Sequence, residues 1–414
     1  MTKTIPAVVI GAELNGLGVV RSLARGRVPT ILADTTRMRA AMWSRFSRGI
    51  VLEQIYGRVL VDGLLAIQKK LRTRPVLILT DELAVNTVSE NRDELIGAYR
   101  FHLPPQRIVT VLYNKARFHE FAEQHALPVP RTIIVKPDTP LARLSELPFP
   151  VIVKSSKRGV SDSDGIKSAY FTATLKDAKD LCQRLLDSAE ELVVQEWIDG
   201  PDSNICFSQF YLGHNPDHFK IFAGRKLALH PAKVGNAALC LAAAEVIDTL
   251  EPLIAKFLDL TEFRGMGTIE FKWDRRRRQF VIIGPGVGHT DRQHEIATLS
   301  GVNLPLADYL DEADLPPIPP TAIDRTVAWR RSAFIGDDLP ALSPEMRTYD
   351  GYWRLNDPVP GLFAYAHVGL EWAYQHVVQP VLRWANPSDW RAALKKAYQN
   401  LVKAIFHRGK ASTR

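Results

Sequence analysis

The sequence predicts a multidomain protein, with a parallel α/β unit at the N-terminus, α+β units behind it and a helical C-terminal extension. Three observations carry this. The runs Ala7–Ile10, Pro29–Ala33 and Val76–Leu79 are short and continuously apolar, as in strands buried on both faces, and helical patterns alternate with them. Beyond Asn114 the strands are separated by polar turns, and one of them alternates strictly in period 2. A length of 414 residues also exceeds one core at roughly 150 residues per domain.

Hydrophobic residues make up 46% and charged residues 24% of the chain, the balance of a soluble globular protein. No apolar run approaches the roughly 20 residues that span a bilayer. Lys3 is followed only by a short apolar strand ending at Gly11, so no signal peptide is expected and the cytoplasm is the expected location. Cys182, Cys206 and Cys240 form no metal spacing or disulfide framework and are expected as buried thiols. The formal charge of +8 comes without an aromatic–basic repeat, so nucleic acid is not an expected partner.

Residues 1–112 form the first expected domain, in which Gly11, Gly16 and Gly18 follow the first strand and Asp34 ends the second. That glycine spacing is not the G-x-G-x-x-G of a dinucleotide site, so a tight turn before a helix is expected instead. Residues 113–310 form the second. A helix over Lys115–His125 is closed by Leu127-Pro128-Val129-Pro130. A strand ending in Lys154, a polar loop over Ser155–Gly165, a helix over about 175–188 and a strand through Glu191–Ile198 follow. In Gly267–Trp273, Ile269, Phe271 and Trp273 share one face, and Glu270 and Lys272 the other. Arg275–Arg278 reads as a solvated hairpin turn before the strand Gln279–Gly286. Residues 311–320 are a Pro-rich linker. In the extension, 321–414, a helix from Asn386 places Trp390, Leu394, Tyr398 and Leu401 on one face and basic residues elsewhere. Packing against its own domain or a partner subunit is the expected use of that helix, in preference to peripheral membrane contact.

The chemistry-bearing residues suit a phosphate. Lys154 projects a charge from a rigid strand, and the loop after it offers backbone N–H donors. Glu196-Trp197-Ile198 offers backbone groups and apolar surface to a purine, Asp202 a carboxylate to ribose, and Glu270 a carboxylate to Mg²⁺.

In that order these segments resemble the ATP-grasp superfamily, of the carboxylate–amine ligase type related to biotin carboxylase, carbamoyl-phosphate synthase and D-alanine–D-alanine ligase. The resemblance covers roughly residues 7 to 305. It implies a Rossmann-like pre-ATP-grasp domain followed by an ATP-grasp domain of two α+β subdomains. It also implies that Lys115 and Lys154 contact ATP phosphates and that a lid contains Ser155, Ser156 and Gly159. Gln195, Glu196, Trp197 and Ile198 would form the adenine hinge, with Asp202 near the ribose. Arg225 and Lys226 would face the γ-phosphate and Glu270 would be the first Mg²⁺ ligand. The implied cofactors are ATP and Mg²⁺, the implied partners a small-molecule carboxylate and an amine. Many such ligases are dimers, which makes a homodimer the assembly to test.

One departure stands out. Gly284 occupies the place of the second metal-binding Glu and Gly286 that of the Asn, and neither Ile283 nor Pro285 can ligate. The sequence therefore supports two readings: an ATP-dependent ligase, or a nucleotide-binding module that has lost its metal centre. His289 and Asp291 could substitute as ligands. The expected role of that segment is instead the start of a helix, with Thr290 or Asp291 as N-cap and Ile296 and Leu299 inward.

Overall fold

The computed structural model describes residues 5–156, 169–332 and 339–374. The expected helix from Asn386 lies outside them. Four parallel strands, β1 (Ala7–Ile10), β2 (Thr30–Asp34), β3 (Arg48–Val51) and β4 (Val76–Leu79), form a sheet in the order β3-β2-β1-β4. Every residue of β1, β2 and β4 is buried, because helices and a second sheet cover both faces, as their continuous apolar runs require. Helix Lys115–Gln124 begins where expected: the Asn114 side chain accepts from the Ala116 and Arg117 N–H groups, satisfying two of its orphan donors.

A second sheet is antiparallel: β5 (Thr132–Val135), β6 (Val151–Ser155), β7 (Tyr170–Thr172) and β8 (Leu192–Glu196), in the order β5-β8-β6-β7. The helix Leu175–Leu186 covers it, capped by Thr174, and Leu144, Val151, Val153, Cys182 and Val194 form its separate small core.

The third sheet has seven strands. These are β9 (Ile205–Leu212), β10 (Lys220–His230), β11 (Asn236–Ala242), β12 (Gly265–Asp274), β13 (Gln279–Val287), β14 (Val327–Arg330) and β15 (Arg347–Asp350). Their order is β13-β12-β9-β10-β11-β14-β15, antiparallel except for the parallel pair β14–β15. The extension is thus not only helical: it adds two strands to this sheet, and only then the helix Pro358–Ala373. One face packs Phe210, Ile269 and Phe271 against the helix Ile247–Leu260 and against Val8 and Ile10 of β1. The other packs Phe207, Tyr211, Phe222 and Trp329 against Leu17 and Val20 of helix Leu14–Ala24. Both cores run across residue 112, and the second also across the Pro-rich segment. Cys182, Cys206 and Cys240 are free and buried, as expected. No helix among the described residues is long and apolar enough to cross a membrane.

A buried ion network fastens the extension. Arg21 Nε donates to Asp357 Oδ2 at 3.1 Å and Nη1 to the Gly351 carbonyl at 3.0 Å. Asp357 also accepts from Ser44 Oγ and the Arg45 N–H, while Arg354 pairs with Glu295 at 2.9 Å. Removing one member strands the others in a dry setting. Arg21→Ala is therefore expected to cost about 3 kcal/mol in urea denaturation, and an unchanged midpoint would show that the network is not structural.

Candidate functional site

The β5–β8 sheet and the β10–β12 region of the large sheet face each other across a cleft of about 150 Å³. Lys154 and Gln195 line it from one side, Lys226, Glu270 and Lys272 from the other, and Trp197, Ile198 and Lys233 also border it. The Lys154 ammonium donates to Gln195 Oε1 at 3.2 Å, and Gln195 Nε2 in turn donates to Thr132 Oγ1 at 3.0 Å, so the amide orients the lysine. Lys115 joins from an adjacent pocket that it shares with Lys154, Gly284 and Pro285. Its Nζ donates to the Ser155 carbonyl at 3.0 Å and its N–H to the Ser156 carbonyl at 2.9 Å, fixing the helix start to the end of β6. Ser155 and Ser156 are thus placed; Gly159 lies outside the described residues. Lys154, Lys226, Lys233 and Lys272 give the cleft the charge to hold a polyanion; the sequence placed Lys272 only on the face of Glu270, and Lys233 was not singled out.

Of the residues expected to form an adenine hinge, Glu196 is engaged within the protein: its buried carboxylate accepts from the Arg131 N–H at 2.7 Å and pairs with Arg277. Arg277 is therefore not part of a merely solvated turn: it also pairs with Asp274 at 2.6 Å and ties the β12–β13 hairpin to β8. The Trp197 N–H donates to the Pro150 carbonyl at 3.0 Å. The Trp197 ring meets Phe171 edge-on and carries the Lys272 ammonium 4.0 Å from its centroid. Burial lowers the Lys272 pKa, only partly offset by Asp202 and Asp199. Asp202 itself accepts from the Leu229 N–H at 2.9 Å, which anchors β10 at the rim of the cleft.

Successive residues of β10 point to opposite faces, which separates Arg225 from Lys226. Lys226 lies in the cleft in an ion pair with Glu270. Arg225, expected beside it, sits on the other face, donating to the Ser203 carbonyl at 3.0 Å and pairing with Glu245 at 3.1 Å. Glu270 pairs with Gly284 across the hairpin, just before a β-bulge, so the residue opposite it carries no carboxylate.

A second carboxylate nevertheless reaches the site. Asp291 does not cap a helix; the helix Glu295–Leu299 starts at His294, with no side-chain cap. Asp291 Oδ2 instead accepts from Thr268 Oγ1 at 3.0 Å and from Gln293 Nε2 at 3.1 Å. Thr268 precedes Glu270 by two residues on the same face of β12. Burial raises the Asp291 pKa, and the nearby Glu270 carboxylate adds to the rise; Lys226 and His289 oppose it. Burial alone would lower the Lys226 pKa, but Glu270 and Asp291 together hold it above the ordinary lysine value. On β9, opposite Thr268, the fully buried Gln209 has both side-chain polar atoms without a partner among the described residues. Two carboxylates and an unsatisfied amide on one face suit a hard cation with oxygen ligands.

The glycine turn borders this end. Gly11 has φ +98°, and a Cβ at Gly16 would lie 2.0 Å from the Gly11 carbonyl oxygen. Asp34 accepts from the Ala12 N–H at 2.6 Å and so holds the turn itself. Asp81 caps the helix Glu82–Glu90, accepting from Leu83 and Ala84 N–H.

No family model matches the chain. It is 24% identical over 316 residues to D-aspartate ligase of Enterococcus faecium (strain Aus0004), covering 72% of this chain and 74% of that one. N5-carboxyaminoimidazole synthetase from Staphylococcus aureus, solved with ADP, superposes with a TM-score of 0.61 at 13% identity, over 78% of this chain and 81% of that one. The biotin carboxylase domain dimer of the Hydrogenobacter thermophilus 2-oxoglutarate carboxylase, with MgADP and bicarbonate, gives 0.59 at 12% identity over 79% and 74%. The chain shares the ATP-grasp fold of these solved structures. In that fold its parallel sheet matches the pre-ATP-grasp unit, and its two antiparallel sheets border the cleft.

His294 is fully buried against Gly18 of helix Leu14–Ala24, and burial lowers its pKa to about 4. A neutral imidazole is thus required in the fold. This contribution is intact above pH 6.5 and is lost as pH falls from 6.5 towards 4, where the unfolded chain binds the extra proton. Denaturation at pH 7 and pH 5 is expected to show a steeper acid loss for the parent than for His294→Gln; equal slopes would contradict the assignment.

Proposed function

We propose that the protein is an ATP-dependent, ADP-forming carboxylate–amine ligase that uses Mg²⁺. The observation that carries this is the placement of Lys226, Glu270 and Asp291 at the end of a cleft bordered by lysines. Lys115 and Lys154 hold the phosphates, with Lys272 and Lys233 at the cleft wall, while Trp197 and Ile198 supply apolar surface for the purine. Glu270 and Asp291 hold Mg²⁺ through carboxylate oxygens, Asp291 replacing the ligand missing at Gly284. The ion supplies charge neutralisation to the transferring phosphoryl group.

The reaction needs little covalent chemistry from the protein. A substrate carboxylate oxygen attacks the γ-phosphorus, the bond to the β-phosphate oxygen breaks and ADP leaves. The amine nitrogen then attacks the acyl carbon, inorganic phosphate departs with the bonding pair, and the amine loses a proton. Lys226 is held charged by its two carboxylates and stabilises the negative charge that develops on the transferred group. Arg225, across the sheet, takes no part. The D-aspartate ligase relative and the synthetase neighbours support ligation, and the non-catalytic alternative has no corresponding support. The carboxylase neighbour is described as a dimer, and a homodimer is the assembly we propose to test.

Screening amino and hydroxy acids with amines should reveal Mg²⁺-dependent ADP release. Lys226→Met should lower kcat by about 100-fold or more while changing ATP affinity far less. Absence of turnover across the screen, with ATP still bound, would return the protein to the non-catalytic reading. Asp291→Asn should raise the Mg²⁺ concentration needed for half-maximal nucleotide binding by about tenfold or more. An unchanged Mg²⁺ requirement would remove Asp291 from the metal site.

A further inference from the structure

A second cluster of metal-type ligands lies at the other end of β9, five residues and so about 17 Å along the strand from the level of Glu270. His102 comes from the segment after β4, His214 from the turn after β9, and Glu312 from the last turn of helix Leu304–Glu312. One ligand atom from each lies within 4.8 Å of the others. The two imidazole rings meet edge-on with centroids 3.5 Å apart. Glu312 is only 8% exposed, and its Oε1 lies 2.5 Å from His102 Nδ1 in an ion-pair contact. A buried carboxylate against one imidazole, with a second imidazole packed on the first, brings together the ligand types that a transition-metal ion draws on.

The charge around them points to a cation. Asp308, Asp311 and Glu312 share one helix face and all three are buried. Asp311 accepts from the Tyr211 hydroxyl and the His214 N–H, each at 2.8 Å, so it positions the His214 backbone. His218 Nε2 lies 4.0 Å from the other oxygen of Asp311. Arg100 donates to the backbone carbonyl of Glu312, but its ion pair is with Asp314. Buried acidic side chains therefore outnumber fixed cations in this corner among the described residues.

We propose that His102, His214 and Glu312 bind a divalent transition-metal ion, with Zn²⁺ the best match to two imidazoles and one carboxylate. Ligand atoms about 3.4 Å apart, as tetrahedral Zn²⁺ requires at bond lengths of ~2.1 Å, need only small rotations of side chains, and His214 is exposed enough to turn. The fourth position opens to solvent on the His214 side and takes water. Because the ligands come from the N-terminal unit, the large sheet and the helix before the Pro-rich segment, the ion clamps three parts of the fold. The site is separate from the Mg²⁺ end of the cleft and does not depend on the ligase reading.

The test uses the full chain stripped with EDTA and titrated with Zn²⁺ against a chromophoric chelator, and in parallel with Co²⁺. One equivalent should bind with a Kd of about 1 µM or tighter, and Co²⁺ should give the intense visible bands of a four- or five-coordinate nitrogen/oxygen site. His214→Ala, at an exposed position, should fold and lose at least about tenfold in affinity. Glu270→Gln, in the cleft, should leave the Zn²⁺ titration unchanged. Failure to bind, equal binding by His214→Ala, or loss of binding in Glu270→Gln would each overturn the proposal.

Discussion

A buried ammonium has to be surrounded by negative charge, and Lys226 sets that requirement at the centre of this protein. Only 4% of the residue is exposed, and desolvation by itself would drive off its proton. Glu270 on the neighbouring face of β12 answers part of the demand, and Asp291, reaching in from beyond β13, answers the rest. The two carboxylates that keep the lysine charged in the fold also have the chemistry to hold a metal ion. In this account the stability of the ion cluster and its chemistry are one property, which is why the register of β9, β10, β12 and β13 matters more than any single loop.

The frame around the cluster keeps it in register. The β12–β13 hairpin is held to the β5–β8 sheet by Arg277 and Glu196, so an ion pair joins the two walls of the cleft. The β9–β12 face rests on the helix after the glycine turn, and the extension is fastened to that helix through Arg21, Asp357 and Glu295. The extension thus completes the large sheet with β14 and β15 and covers the N-terminal unit, rather than hanging from the domain as an appendage.

Much of this was legible in the chain. The continuous apolar runs of β1, β2 and β4 encode burial on both faces. The Asn114 cap, the Thr174 helix start and the period-2 alternation that puts Glu270 opposite Phe271 are all local signals. What was hidden depends on contacts distant in sequence or on strand parity. Phe222–Leu227 has no clean alternation, so nothing local said that Lys226 and not Arg225 faces the cleft. The Asp291–Thr268 bond closes 23 residues and the Arg277–Glu196 pair 81, and each residue looks like ordinary surface polarity from its neighbours alone. Asp291 resembled a helix cap because capping and metal ligation favour the same side chain. The missing carboxylate at Gly284 was visible, and so was Asp291 as one of two candidate substitutes; only the fold shows which of them Thr268 brings beside Glu270.

The proposed metal site turns on Asp291 standing in for the ligand absent at Gly284. Crystals grown with Mn²⁺ and a non-hydrolysable ATP analogue would locate the ion by anomalous scattering. A peak is expected about 2.2 Å from carboxylate oxygens of both Glu270 and Asp291, with Asp291 released from Thr268. A peak held by Glu270 alone, with Asp291 still bonded to Thr268, would contradict it.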